Sequence, residues 1–244
     1  MGALDVNLFG DIAAASRFEE KFVALDATAV LRLAIKDLFP GRIALVSSFG
    51  ADSAVLLHMI ASIDKATPVI FVDTGHLFPE TLAYRDELAA LLGLTDVRAV
   101  SATREELASL DPESFLWSSD PDRCCAIRKV APLASAIEGF DAWITGRKRF
   151  QADTRASLPL FEAEGERVKI NPLASWDASK LLQYLDAHDL PRHRMVAKGY
   201  PSIGCIPCTS AVKPGEDARA GRWRGKAKTE CGIHIGVVSG GGGI

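Results

Sequence analysis

Between residues 42 and 173 the chain repeats one pattern: a run of five to seven mostly apolar residues, a polar or glycine-containing turn, then a stretch with helical spacing of its apolar positions. Runs at 42–48, 68–73, 96–100, 142–146 and 168–173 read as strands. Segments 51–63, 79–92, 103–110 and 177–188 read as helices, the last with Ser175 or Asp177 as its cap. Residues 18–39 precede the pattern as one or two helices that end at Pro40-Gly41. A strand apolar on both faces has to be covered on both faces, and helix-length crossovers bring successive strands back parallel. The fold class expected is α/β: a mostly parallel sheet flanked by helices. From Lys213 the apolar spacing disappears and Gly, Lys and Arg accumulate. The expected organisation is therefore an α/β domain over 1–215 and a flexible C-terminal segment over 216–244.

At 244 residues, with 48% hydrophobic and 24% charged residues, the chain can bury a sizeable core, and wholesale disorder is excluded. A net charge of −3 gives no lean toward nucleic acid. Residues 1–10 lack the basic head of a signal peptide, and Val6 stands where a myristoylation site needs Ser or Thr. No apolar run reaches the length of a membrane span. The expectation is a cytoplasmic protein with no membrane or nucleic-acid partner, in a compartment where clustered cysteines signal metal or redox chemistry.

Three turns at strand ends carry candidate binding groups. Ser47-Ser48-Phe49-Gly50-Ala51-Asp52-Ser53 offers unpaired backbone N–H groups and hydroxyls at a helix N-terminus, which suits an anion. Taken alone, an ordinary strand-to-helix turn with Ser53 as a cap is the stronger reading. The segment resembles the S-G-G-x-D-S loop of the ATP pyrophosphatase superfamily, with Phe49 in place of a glycine. A bulky residue there is expected to limit backbone approach to a pyrophosphate. Asp73-Thr74-Gly75-His76 ends the second strand, where open parallel sheets hold ligands. Arg147-Lys148-Arg149, with Arg155, leaves the fourth strand at the same edge. Four cations in nine residues usually mark a solvated loop, but this position favours an anion site.

The five cysteines divide into four plus one. Pro121 to Lys129 reads as the start of a helix that sets Cys124-Cys125 beside Arg123, Arg128 and Lys129, and Cys205-Ile206-Pro207-Cys208 is a C-x-x-C in a turn. Together they form a four-thiolate pattern, which buried thiols or a redox dithiol could also produce. On spacing, structural zinc and an iron–sulfur cluster are nearly even. The fifth, Cys231, follows five cations and precedes His234. Cationic surroundings activate a thiol and draw anionic substrates; the plainer reading is an incidental cysteine in a basic tail.

Cys124-Cys125-x-x-Arg128-Lys129, the C-x-x-C, Arg219-Ala220-Gly221-Arg222-Trp223 and Glu230-Cys231-Gly232-Ile233-His234 together resemble the assimilatory sulfonucleotide reductases. The nearest likeness is to their iron–sulfur adenylyl-sulfate (APS) reductases, and it runs from about Ser47 to His234. It implies an adenine-nucleotide-hydrolase-like fold and a [4Fe–4S] cluster on Cys124, Cys125, Cys205 and Cys208. The catalytic residues it implies are Cys231, His234 and Lys129. It would surround the nucleotide with Ser47, Ser48, Phe49, Gly50, Ser53, Asp73, Thr74, Gly75, Arg149, Arg219 and Arg222. The implied reaction reduces APS to sulfite and AMP through an S-sulfocysteine on Cys231, with thioredoxin or a glutaredoxin-like protein as reductant. Assembly into a homo-oligomer is a further expectation. Alternatives are the 3′-phosphorylated substrate (PAPS) or both nucleotides, a tRNA-thiolating relative, and a zinc-stabilised nucleotide-binding module. Arg147-Lys148 after Gly146, and Arg224-Gly225 after Trp223, depart from the common family pattern.

Overall fold

The structure is a computed structural model and describes residues 12–234. The leader reading of residues 1–10 and the glycine-rich end after His234 lie outside the described residues. In chain order the elements are α1 (Ile12–Phe22), α2 (Ala27–Leu33) with a π-turn over Ala34–Leu38, β1 (Ile43–Val46), α3 (Ser53–Ile63), β2 (Val69–Val72), α4 (Pro79–Leu92) and β3 (Val97–Val100). There follow α5 (Arg104–Leu110), α6 (Leu116–Ser119), α7 (Pro121–Cys125), a second π-turn over Ala126–Val130, α8 (Ala131–Ala136), β4 (Ala142–Ile144), β5 (Phe161–Glu164), β6 (Arg167–Ile170) and α9 (Ala178–Ala187).

The six strands form one sheet in the order β3-β2-β1-β4-β6-β5, parallel except for β5. Alternation along each strand divides the side chains between two cores. Ile43, Leu45, Val69, Phe71, Ala142, Ile144, Val168 and Ile170 face the larger core with α1 to α4 and α9. Ala44, Ile70 and Trp143 face the other side, where Leu133 and Ile137 of the α8 region cover them. Both faces are buried, as the continuous apolar runs predict.

The chain winds outward from β1 to β2 and β3, then returns to place β4 on the other side of β1. The β1/β4 pair is thus the point where strand order reverses, and a crevice opens at the carboxyl ends there. Ile43 pairs with Ala142 and Leu45 with Ile144, so both strands finish level with the Ser47 and Gly146 turns.

Edge strand β5 is absent from the sequence reading, because Phe161-Glu162-Ala163-Glu164 has half its positions charged. Its inner partner Lys169 is 1% exposed, 4.7 Å from the Trp143 ring centroid and 2.5 Å from Glu164. Glu164 also accepts from Trp143 Nε1 at 2.6 Å. The acidic residues of β5 therefore neutralise a buried cation and still pair as a strand.

Candidate active site

One cavity of about 470 Å³ lies over the β1/β4 switch point. The β1–α3 turn supplies Ser47, Ser48, Gly50, Ala51, Asp52 and Ser53 to its wall, and the end of β2 supplies Thr74. Phe49 adopts φ +47°, a left-handed conformation costly for a bulky residue, and its side chain is wholly buried. Its ring meets Phe71 edge-on at 5.4 Å between centroids, in the core. The expectation that Phe49 blocks backbone approach is therefore corrected: the bulk points away from the cavity, and the turn bends its neighbours toward it.

The basic run after β4 splits by direction. Arg147, Lys148 and Arg155 line the cavity; Arg149 does not, being exposed with its Nε donating to Leu158 O at 2.8 Å. Arg147 is occupied by Glu162 and by Asn171, and Lys148 by Asp52. Arg155, which the motif reading mentioned only in passing, enters through a short 3₁₀ turn over Asp153–Arg155. Asp73 and Gly75 bracket Thr74 without lining the cavity; Asp73 Oδ1 accepts from Gly75 N at 2.9 Å.

The segment expected to be a flexible arm lies across the cavity mouth as far as it is described. Thr209 bridges to Arg222, and Trp223, 2% exposed at φ +49°, donates its backbone N–H to Cys208 O at 3.0 Å. Lys226 Nζ donates to Trp117 O at 2.6 Å, and Lys228 pairs with Asp122. Both contacts fasten the segment to α6 and α7. Beyond them Glu230, Cys231 and Ile233 line the cavity. Ile233 packs on the minor core. His234 closes a 3₁₀ turn over Gly232–His234; its side chain lies outside what the structure describes.

Arg222 reaches the cavity by lying against the Gly204 backbone. A Cβ at 204 would stand 2.3 Å from Arg222 Nη2. Its Nη1 donates to Ile203 O at 3.1 Å, while its Nε is buried with no partner among the described residues. A buried unpaired guanidinium N–H beside a cavity is a site for an acceptor.

A second, small cavity adjoins the first. Cys124, Cys125, Cys205 and Cys208 line it with Thr74, His76, Arg128 and Lys129, and none of the thiols is in a disulfide. Thr74 and Lys129 belong to both walls. Burial pushes the Cys124 thiol up to about 11, with Cys125 and Cys205 adding to it. Burial raises Cys125 and Cys208 as well. Burial opposes the charge of Lys129, but Cys205, Cys231 and Cys125 outweigh it and hold the ammonium above the ordinary lysine range. Thr74 Oγ1 lies 3.2 Å from Cys205 Sγ, and His76 Nε2 is buried without a partner among the described residues. Four desolvated thiols need a positive centre among them to ionise, and four cysteine sulfurs are the donor chemistry of an iron–sulfur cluster. No three metal-binding side chains among the described residues are arranged around a single ion. Arg128 organises the surround: it donates to Asp111 at 2.8 and 3.0 Å and to Thr74 O at 3.1 Å. Burial raises the Asp111 carboxyl, but Arg128 and the N–H groups of Phe115 and Leu116 prevail and hold it below its ordinary value.

A parallel sheet with a strand-to-helix turn and converging guanidinium groups at its switch point, faced by a free cysteine, has the geometry of an anion-binding α/β enzyme. Comparison with known proteins narrows the class. Residues 42–211 match the phosphoadenosine phosphosulfate reductase domain, and the chain belongs to that family of sulfur-directed oxidoreductases. A protein of Mesorhizobium japonicum named adenosine 5′-phosphosulfate reductase is 54% identical over 226 residues, which cover 93% of this chain and 89% of that protein. Among solved structures, the phosphoadenylyl-sulfate reductase of Candida auris in a phosphate complex superposes with a TM-score of 0.70 at 30% identity, over 86% of this chain and 100% of that one. The FMN adenylyltransferase of Candida glabrata superposes at 0.51 with 14% identity, over 82% and 70% of the two chains, a likeness of fold alone. The adenine-nucleotide-hydrolase-like architecture expected from the sequence is the one observed. No described helix is long and apolar enough to cross a membrane.

Proposed function

We propose that this enzyme reduces adenylyl sulfate to sulfite and AMP in sulfate assimilation, with Cys231 as nucleophile and a thioredoxin-type dithiol protein as reductant. The observation that carries the reading is the position of Cys231 in one cavity with the Ser47–Ser53 turn, Lys129 and the unpaired Nε of Arg222. Names of relatives at 54% identity support the unphosphorylated nucleotide.

The turn after β1 and Arg222 bind the phosphosulfate, while Lys129 and Arg219 face the thiol. The Cys231 thiolate attacks the sulfate sulfur, the S–O bond to the phosphate breaks, and AMP leaves with the bonding pair. A guanidinium that offsets charge on the departing phosphate lowers that barrier. Cys231 then carries an S-sulfo group. A thiolate of the partner attacks the Cys231 sulfur, and sulfite departs with the electron pair. The partner's second thiolate resolves the mixed disulfide, so two thiols are oxidised for each sulfate reduced. Segment 216–244 serves as the arm that offers one sulfur to the nucleotide and then to the partner. Cys124, Cys125, Cys205 and Cys208 would hold a [4Fe–4S] cluster, whose iron would tie the two cysteine pairs together and whose thiolate ligands would face the Lys129 ammonium. His234 stays a candidate on its position in the motif.

Incubation with ³⁵S-labelled APS without reductant, followed by peptide mass spectrometry, tests the reading. The expected result is an added SO₃ group on the Cys231 peptide and release of AMP. AMP release without an adduct, or an adduct elsewhere, would overturn it. PAPS in a parallel arm distinguishes the two nucleotides.

A further inference from the structure

Glu230, one residue before Cys231, has no part in the reaction proposed above, yet its carboxylate is buried and fully engaged. Arg155 grips it through two bonds, Nε to Oε1 and Nη2 to Oε2, both at 2.7 Å. Both side chains are only 9% exposed. Arg219 Nη2 adds a contact to Oε2 at 3.4 Å and donates to Thr229 O at 2.9 Å. Thr154 Oγ1 approaches Oε1 at 3.5 Å. A bidentate, desolvated guanidinium–carboxylate pair is the strongest polar contact that two side chains make, and it fixes direction as well as distance.

The receiving half of this contact is held in place from the sheet side. Arg155 Nη1 donates to Gln151 Oε1 at 2.7 Å. Gln151 Oε1 also accepts from Lys148 N at 3.2 Å, and its Nε2 donates to Asp52 Oδ2 at 3.3 Å. Lys148 Nζ pairs with the same carboxylate. Arg155 is therefore oriented by residues of the β1–α3 turn and the β4 loop as well as by Glu230.

We propose that Glu230 is a positioning residue: the Glu230–Arg155 pair, supported by Arg219, is the latch that docks the arm and sets Cys231 at the cavity. This deepens the proposed function by naming what holds its nucleophile. Removing one member of a buried pair leaves the other desolvated and unpaired, so either single loss opens the latch. The ion pair sits where local opening frees Cys231 without unfolding the sheet.

The rate of Cys231 alkylation by iodoacetamide, followed by peptide mass spectrometry on the full-length enzyme without nucleotide, reads the latch directly. The rate is taken on its high-pH plateau, where every Cys231 is thiolate and loss of the neighbouring negative charge has no further effect on ionisation. Glu230→Gln and Arg155→Gln are each expected to raise the plateau rate about tenfold, with Glu230→Asp between them and the native chain. The double variant is expected to match the singles, because the two changes remove one contact. Native alkylation rates in both single variants, with unchanged circular dichroism, would overturn the proposal, as would a fall in Tm alone or additive gains in the double variant. The readout needs neither APS nor reductant. A missing sulfite product would therefore sink the functional reading and leave this result standing.

Discussion

At the scale of single residues, Lys129 and Gly204 are the sharpest tests. Lys129 lies on both cavity walls, its ammonium supported by three cysteines. Lys129→Ala is expected to lower kcat/KM by about 10²-fold or more, the usual loss for one charge aimed at a reacting centre. Iron and sulfide content is expected to fall much less. Equal losses of metal and turnover, measured on the same preparation, would assign Lys129 to cluster assembly. Gly204→Ala places a methyl group on the Arg222 guanidinium. Loss of that charge-assisted contact is expected to raise KM about tenfold or more, with a small change in Tm. Isothermal titration with AMP reads the same loss. At this scale the cysteines were legible because their spacing is local and their chemistry singular. The cations were not. Arg147 and Lys148 lie in a loop and Arg149 opens a 3₁₀ turn over Arg149–Gln151, so nothing in the sequence says that Arg149 turns outward while Arg155, six residues on, turns in. Phe49 was misread for a related reason: a positive φ reverses which side of the turn a side chain occupies.

Among elements, the turn after α9 carries a pH-dependent contact. His193 is 1% exposed; its Nδ1 accepts from Met195 N at 3.1 Å, which leaves Nε2–H to donate to Thr81 Oγ1 at 3.1 Å. Burial lowers its pKa to about 4 from an ordinary 6.5. A depressed histidine means that the unfolded chain takes up the proton first. The stabilising contribution is whole above pH 6.5 and is lost as the pH falls toward 4, by up to ~3 kcal/mol. Urea midpoints measured from pH 7.5 to 4.5 are expected to fall less steeply in His193→Gln than in the native chain. Parallel slopes would show that this contact does not titrate with folding. The five parallel strands and the helices α3, α4, α5 and α9 were readable because each run is bounded by turn residues. Strand β5 was not, since alternating acidic residues signal a loop until a buried lysine opposite them is known. The helix start at Pro121–Cys125 was read, but α6 and α8 escaped for want of length: π-turn Ala126–Val130 interrupts the periodicity between Cys125 and Pro132.

For the whole molecule, charge is divided unevenly. The chain carries a net −3, yet Lys129, Arg155, Arg219 and Arg222 face one cavity. An anionic nucleotide is steered to that cavity by a field that salt screens over about 10 Å at 0.1 M. KM for APS is expected to rise several-fold between 50 and 500 mM KCl while kcat changes little. A salt-independent KM would place recognition in the neutral contacts alone. Sheet class and the edge where the cavity opens followed from the sequence, because parallel strands leave few topologies and one switch point. How the C-terminal segment crosses that edge did not follow, since its anchors, Trp117 O and Asp122, are more than a hundred residues away.

Those anchors limit how far Cys231 travels. With Lys226 and Lys228 fastened to the α6–α7 shoulder, only Thr229, Glu230 and Cys231 remain to pay out. Three extended residues span roughly 10 Å. In the reaction proposed above, the reductant would have to bring its own thiol to the rim of this shoulder, beside the point where the tether is tied.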